Sequence, residues 1–138
     1  MDPLQDAPAA YKTLTAQLAA EGFVAQISDP DDTAFGNRIA LYIHNEVRVR
    51  LVRDRSQWFM EIAVPLTVEW FAPVIWMAFL DRSLPDPRRP SADQEAAFVT
   101  GRWRDLDVAD APRAVEALWA WQERRAAQRR GLPPEMMQ

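Results

Sequence analysis

Three consecutive runs of β-forming residues, 37–43, 47–53 and 57–64, most constrain what this chain can fold into. Each alternates apolar and polar side chains, the period of a strand with one buried face. The gaps between them are too short for crossover helices, so the runs are antiparallel neighbours joined by hairpin turns. A further run, Phe23–Ile27, precedes them and ends in the turn Ser28-Asp29-Pro30-Asp31-Asp32. The expectation is a four-stranded antiparallel meander.

Alternation also assigns faces, because a slip of one residue exchanges them. Ile39, Leu41 and Ile43 share a face with Val47, Val49 and Leu51 only across a loop of odd length, most simply His44-Asn45-Glu46. Asn45 is the better fit there to a left-handed position. A two-residue loop would instead set the isoleucines beside Arg48 and Arg50. In the next hairpin an even loop around Asp54-Arg55 places Leu51 against Trp58, Val49 against Met60 and Val47 against Ile62. The opposite face then carries Tyr42 beside Arg48, Ala40 beside Arg50, Arg48 across from Glu61 and Arg50 across from Phe59.

Helical spacing brackets this ribbon. Tyr11, Leu14 and Leu18 mark a helix over about Pro8–Glu21, closed by Gly22. Pro65 ends the last strand, and a second helix runs from Pro73 to about Leu80, apolar nearly all round. Ser91 with Gln94 forms a capping box that opens a short helix ended by Gly101. The last helix spans about Pro112–Arg130, with Val115, Leu118, Trp119, Gln122 and Ala126 as its core stripe, widened by Ala114 and Trp121. The expected architecture is therefore an α+β single domain, 1–138: an N-terminal helix, a four-stranded antiparallel meander, and three C-terminal helices packed on its apolar face. Residues 1–7 and 131–138, with Pro133-Pro134, read as frayed tails.

Composition bounds the chemistry. An apolar share of 49% in 138 residues suits a globular core and excludes a disordered chain. Cysteine is absent, which excludes disulfides, thiolate nucleophiles and thiolate metal sites. The first thirty residues lack a basic start followed by an apolar run, so no secretory signal is expected. The most apolar stretch, Val68–Leu80, contains Glu69 and Pro73 and falls short of the ~20 residues that span a bilayer. A cytoplasmic protein is the expectation. The net charge of −4 argues against general nucleic-acid binding. Of 16 basic residues only Lys12 is lysine, the coding bias of a GC-rich bacterial genome.

No catalytic set emerges. His44 is the single histidine and is expected as an ordinary surface residue at a hairpin tip, and Ser28, Ser56, Ser83 and Ser91 all fall in turns or caps. Asp29, Asp31 and Asp32 resemble a calcium loop, but Ala34 and Ala40 occupy the positions that need glycine and glutamate. Asp105, Asp107 and Asp110 are expected ahead of the last helix, at its positive end. Four glycines leave no phosphate-cradling loop. Neither a metal site nor a cofactor is expected, and the chain reads as no enzyme. An enzyme with an unrecognised carboxylate site is the residual alternative.

The most suggestive constellation is the outer sheet face, Tyr42, Arg48, Arg50, Phe59 and Glu61, where arginine beside aromatic rings suits a partner surface. Arg48–Glu61 pairing and Arg50 on Phe59 would equally suit a solvated face, at ~0.2–1 kcal/mol each. Arg124, Arg125, Arg129 and Arg130 complement the dipole of the last helix. Trp58 and Trp119 fit core positions, whereas Trp70, Trp76, Trp103 and Trp121 exceed what a small core hides. With the all-round apolarity of the second helix, they point to a homodimer or a tight protein partner, unless the C-terminal helices cover that helix.

The segment Val47-Arg48-Val49-Arg50-Leu51-Val52-Arg53-Asp54-Arg55-Ser56-Gln57-Trp58-Phe59 resembles a strand–turn–strand of small uncharacterised bacterial proteins encoded near toxin–immunity loci. The resemblance carries no catalytic residues and implies a cytosolic protein that acts by binding. The expected function is non-enzymatic protein binding of the immunity or adaptor type. An anion- or nucleic-acid-binding module using the same arginines is the second reading.

Overall fold

The computed structural model describes residues 4–28, 38–45, 47–64, 69–83, 86, 88–107 and 111–131. The element order is α1 (Ala9–Ala20), β1 (Val24–Ser28), β2 (Arg38–His44), β3 (Val47–Asp54), β4 (Gln57–Ala63), α2 (Pro73–Asp81), α3 (Ala92–Asp107) and α4 (Ala111–Arg129). The strands form one sheet in the order β1-β2-β3-β4, every neighbouring pair antiparallel. This is the expected α+β meander between one N-terminal helix and three later ones. The Asp29–Asp32 turn, Pro65, Asp110, the side chains of Ala114 and Val115, and residues 132–138 lie outside the described residues.

The first hairpin departs from expectation. His44 pairs with Val47, Tyr42 with Val49 and Ala40 with Leu51, so two residues separate the strands rather than three. Asn45 takes the left-handed conformation at φ 53°, as a two-residue turn of this twist requires. The phase of β2 is thereby reversed. Ala40, Tyr42 and His44 look toward the core, and Ile39, Leu41 and Ile43 share the outer face with Arg48 and Arg50.

The β3–β4 hairpin keeps the expected faces but slides by two residues, because Arg55-Ser56 forms the turn and Asp54 pairs with Gln57. Leu51 thus faces Met60, Val49 faces Ile62 and Arg50 faces Glu61.

Val47, Val49, Leu51, Met60 and Ile62 line the inner face and form one buried cluster with Tyr11, Leu14 and Leu18 of α1. Ile75 and Trp76 of α2, Val99, Trp103 and Leu106 of α3, and Leu118 of α4 complete it. The α2 helix is apolar all round because α3 and α4 cover what the sheet leaves, and Trp76 donates its indole N–H to Ile62 O at 2.9 Å. That packing is the cover from the C-terminal helices that stood as the alternative to a dimer through α2, and it leaves Met77, Phe79 and Leu80 partly buried.

The α3 helix runs through Gly101 to Asp107. Burial of Trp103 and Leu106 beyond the glycine is worth several kcal/mol, against the ~1 kcal/mol that a mid-helix glycine costs. Asp105 and Asp107 accordingly lie within α3, not ahead of the last helix. At its start, Gln94 N–H donates to Ser91 Oγ at 3.1 Å and Ser91 N–H donates to Gln94 Oε1 at 2.9 Å, the expected capping box.

Trp76 and Trp103 are buried with Trp58, whereas Trp119 is 47% exposed and stands edge-on to Phe71. Among the described residues no helix is long and apolar enough to cross a membrane.

Candidate functional site

Two places bring chemistry-bearing side chains together. The first is the outer sheet face. Arg50 donates to Glu61 Oε1 from Nε at 2.8 Å and from Nη2 at 2.5 Å, both residues being about a quarter exposed. Arg48, set against Ala63 rather than Glu61, donates to Val64 O at 3.1 Å.

Trp70, from the stretch between β4 and α2, lies over both guanidiniums, with the Arg50 carbon 4.1 Å and the Arg48 carbon 5.5 Å from the ring centroid. Arg50 therefore lies against Trp70 where Phe59 was expected. Phe59 is half-buried across from Val52. Tyr42 leaves this group altogether: it is 5% exposed and belongs to the inner cluster. Of the five residues read from sequence, the face holds Arg48, Arg50, Phe59 and Glu61. Trp70 was missed as their partner, since nothing in its local pattern tells on which side of the strands it folds back.

Along the same face run Val24, Ile39, Leu41, Ile43 and Val52. None belongs to the core cluster, and Val24 is 64% and Ile39 39% exposed.

The second place is the open edge of β4, where Arg89 reaches Trp58 O and where Tyr11 of α1 and Glu95 of α3 meet. Glu95, in the first turn of α3, is 2% exposed, and its Oε1 accepts the Tyr11 hydroxyl proton at 2.5 Å. Arg89 caps the strand edge by donating to Trp58 O at 2.6 Å and reaches within 3.9 Å of Glu95. Burial holds the Glu95 carboxyl above its ordinary range, although the Tyr11 hydrogen bond and the charges of Arg89 and Arg125 oppose the shift. Burial likewise raises the Tyr11 phenol.

A cavity of about 170 Å³ adjoins this cluster, with Met60, Val74, Arg89, Glu95, Arg125 and Arg129 in its wall. A second, of about 420 Å³, extends along α2 past Met77, Arg88 and Gln94. The sequence signals for this site were faint, because Glu95 looks like any acidic residue in a first helical turn.

His44 does not sit in solvent. Its ring packs 4.7 Å from Trp103 and 5.2 Å from Phe23, and its Nδ1 is buried without a hydrogen-bond partner among the described residues. Among those residues no group of three His, Asp or Glu side chains could hold a metal ion. Comparison with protein-family models, with curated proteins and with solved structures finds no match.

Proposed function

We propose that this chain is a non-enzymatic, cytoplasmic protein-binding domain of the immunity or adaptor type, whose contact surface is the outer face of the sheet. One observation carries the reading. A row of apolar side chains from three strands stays outside the core, with Val24 and Ile39 well exposed, and the Arg48–Arg50–Trp70 group stands beside it. Exposed apolar surface rimmed by polar groups is what a partner covers. Tryptophan and arginine are the side chains that most often carry interface affinity.

Nucleic acid is less favoured as the occupant. Glu61 offsets the charge of Arg50, and the chain as a whole carries a net charge of −4, which disfavours a phosphate backbone as partner. A phosphate contact would weaken steeply with ionic strength, whereas an apolar contact would not.

The test recovers the partner by pull-down from host cells and measures its affinity for the R48E/R50E double variant and for Ile39→Ser. Each should weaken binding at least tenfold while the circular dichroism spectrum stays unchanged. Unchanged affinity in both folded variants would remove the proposal.

A further inference from the structure

Two tight turns set the main-chain hydrogen bonding of the whole sheet. In a two-residue hairpin the flanking residues exchange both their N–H···O bonds, and the bonding side then alternates along each strand. His44↔Val47 and Asp54↔Gln57 are those flanking pairs. Both give β3 the same phase, with Val47 and Val49 bonding toward β2, and Arg48 and Arg50 toward β4. Carried outward, the alternation turns Trp58 and Ile62 of β4 away from β3, and Ala25 and Ile27 of β1 away from β2. On β4 those outward groups are engaged. Arg89 donates to Trp58 O, and Ile62 exchanges main-chain bonds with Phe71 at 2.9 and 3.1 Å.

The β1 edge differs. Phe23 N–H, which also points outward, donates to Leu18 O at 2.9 Å, but among the described residues nothing bonds the outward N–H and C=O groups of Ala25 and Ile27. Val24, Ala25 and Gln26 are all exposed. The strand Val24-Ala25-Gln26-Ile27-Ser28 carries no charge and no proline, the usual means of keeping an edge from pairing. What such an edge takes up is another strand.

A second copy fits it because the two outward residues stand on either side of Gln26. With a twofold axis beside Gln26, Ala25 of each copy lies opposite Ile27 of the other, and each outward N–H and C=O gains a partner. No charges meet across the axis. The side chains that face each other there are the two Gln26 amides, each both donor and acceptor. We infer that two copies of this chain associate antiparallel, β1 against β1 about Gln26, joining their sheets into one continuous sheet. The contact uses main-chain groups on the rim, so it holds or fails apart from the contact surface proposed for the outer face.

So short a contact is weak. Sedimentation velocity of the full chain from about 10 µM to about 1 mM should show a monomer–dimer equilibrium. Ala25→Pro removes an outward N–H without touching the β1–β2 bonds, and should leave only monomer with an unchanged circular dichroism spectrum. Gln26→Glu, at an exposed position, sets two carboxylates across the axis and should weaken association a few-fold at pH 7. It reads the contact even if the proline disturbs the strand. Amide exchange reads the register: the Ala25 and Ile27 amides should slow as concentration rises, whereas that of Gln26 is held by β2 throughout. The inference is overturned by monomer at every concentration, by undiminished association in either folded variant, by exchange at Ala25 and Ile27 that ignores concentration, or by open-ended oligomers, which a closed twofold contact does not form.

Discussion

The Tyr11 hydroxyl donates to Glu95 Oε1 across 2.5 Å, tying α1 to α3 between positions 84 residues apart. Because burial raises the Glu95 pKa above its ordinary 4.5, the folded state keeps a proton that the unfolded chain has already released. From that ordinary value up to the folded one, stability must therefore fall as pH rises, and below the window this contribution is constant. An ion-paired carboxylate would show the opposite slope. In urea melts between about pH 4 and pH 8, Glu95→Gln should flatten this decline, and an unchanged slope would refute the assignment. Tyr11→Phe should cost about 1–3 kcal/mol, since it leaves the buried carboxyl without its donor.

Gly101 offers a gain. It is exposed within α3, and a Cβ built there meets nothing within 4 Å. Gly101→Ala should raise stability by about 0.5–1 kcal/mol, read as a higher midpoint of thermal unfolding. A lower midpoint would mean that α3 does not run unbroken through this position.

The turn between β3 and β4 holds Arg55 at φ 51° and Ser56 at φ 69°, both left-handed without a glycine. Two-residue hairpin turns of this kind favour Asn-Gly. The R55N/S56G variant should therefore gain about 1 kcal/mol in denaturant melts, with no change in the slope of the transition.

Trp70 stacks on the guanidinium of Arg50, the cation of the Arg50–Glu61 ion pair, and shields that group from water. A double-mutant cycle on Arg50→Ala and Glu61→Ala should give a coupling of about 0.5–1 kcal/mol, falling toward zero when repeated in Trp70→Ala. Equal coupling in both backgrounds would show that the ring contributes nothing to the pair.

The strands of this fold were legible because β3 reads cleanly: Val47, Val49 and Leu51 alternate with Arg48, Arg50 and Val52, and one phase is plainly apolar. β2 was not legible in the same way. Ile39, Leu41 and Ile43 alternate with Ala40, Tyr42 and His44, and either set can be buried. The decision rests with the turn, where Asn45 enters the left-handed region directly after His44. The two-residue slide of β4 left the faces correct and the cross-strand partners wrong, so Arg50, rather than Arg48, obtained Glu61. The Tyr11–Glu95–Arg89 cluster was invisible because its members become neighbours only once α1, α3 and the β4 edge are packed together.

The ambiguity of β2 has a consequence for how this protein can change. One residue inserted between His44 and Val47 would rotate the whole strand by half a turn, bringing the isoleucines to the interior and the phenol of Tyr42 into water. The chemistry displayed beside Arg48 and Arg50 is thus governed by the length of a connector, not by any side chain on display, and a single inserted codon would rewrite it.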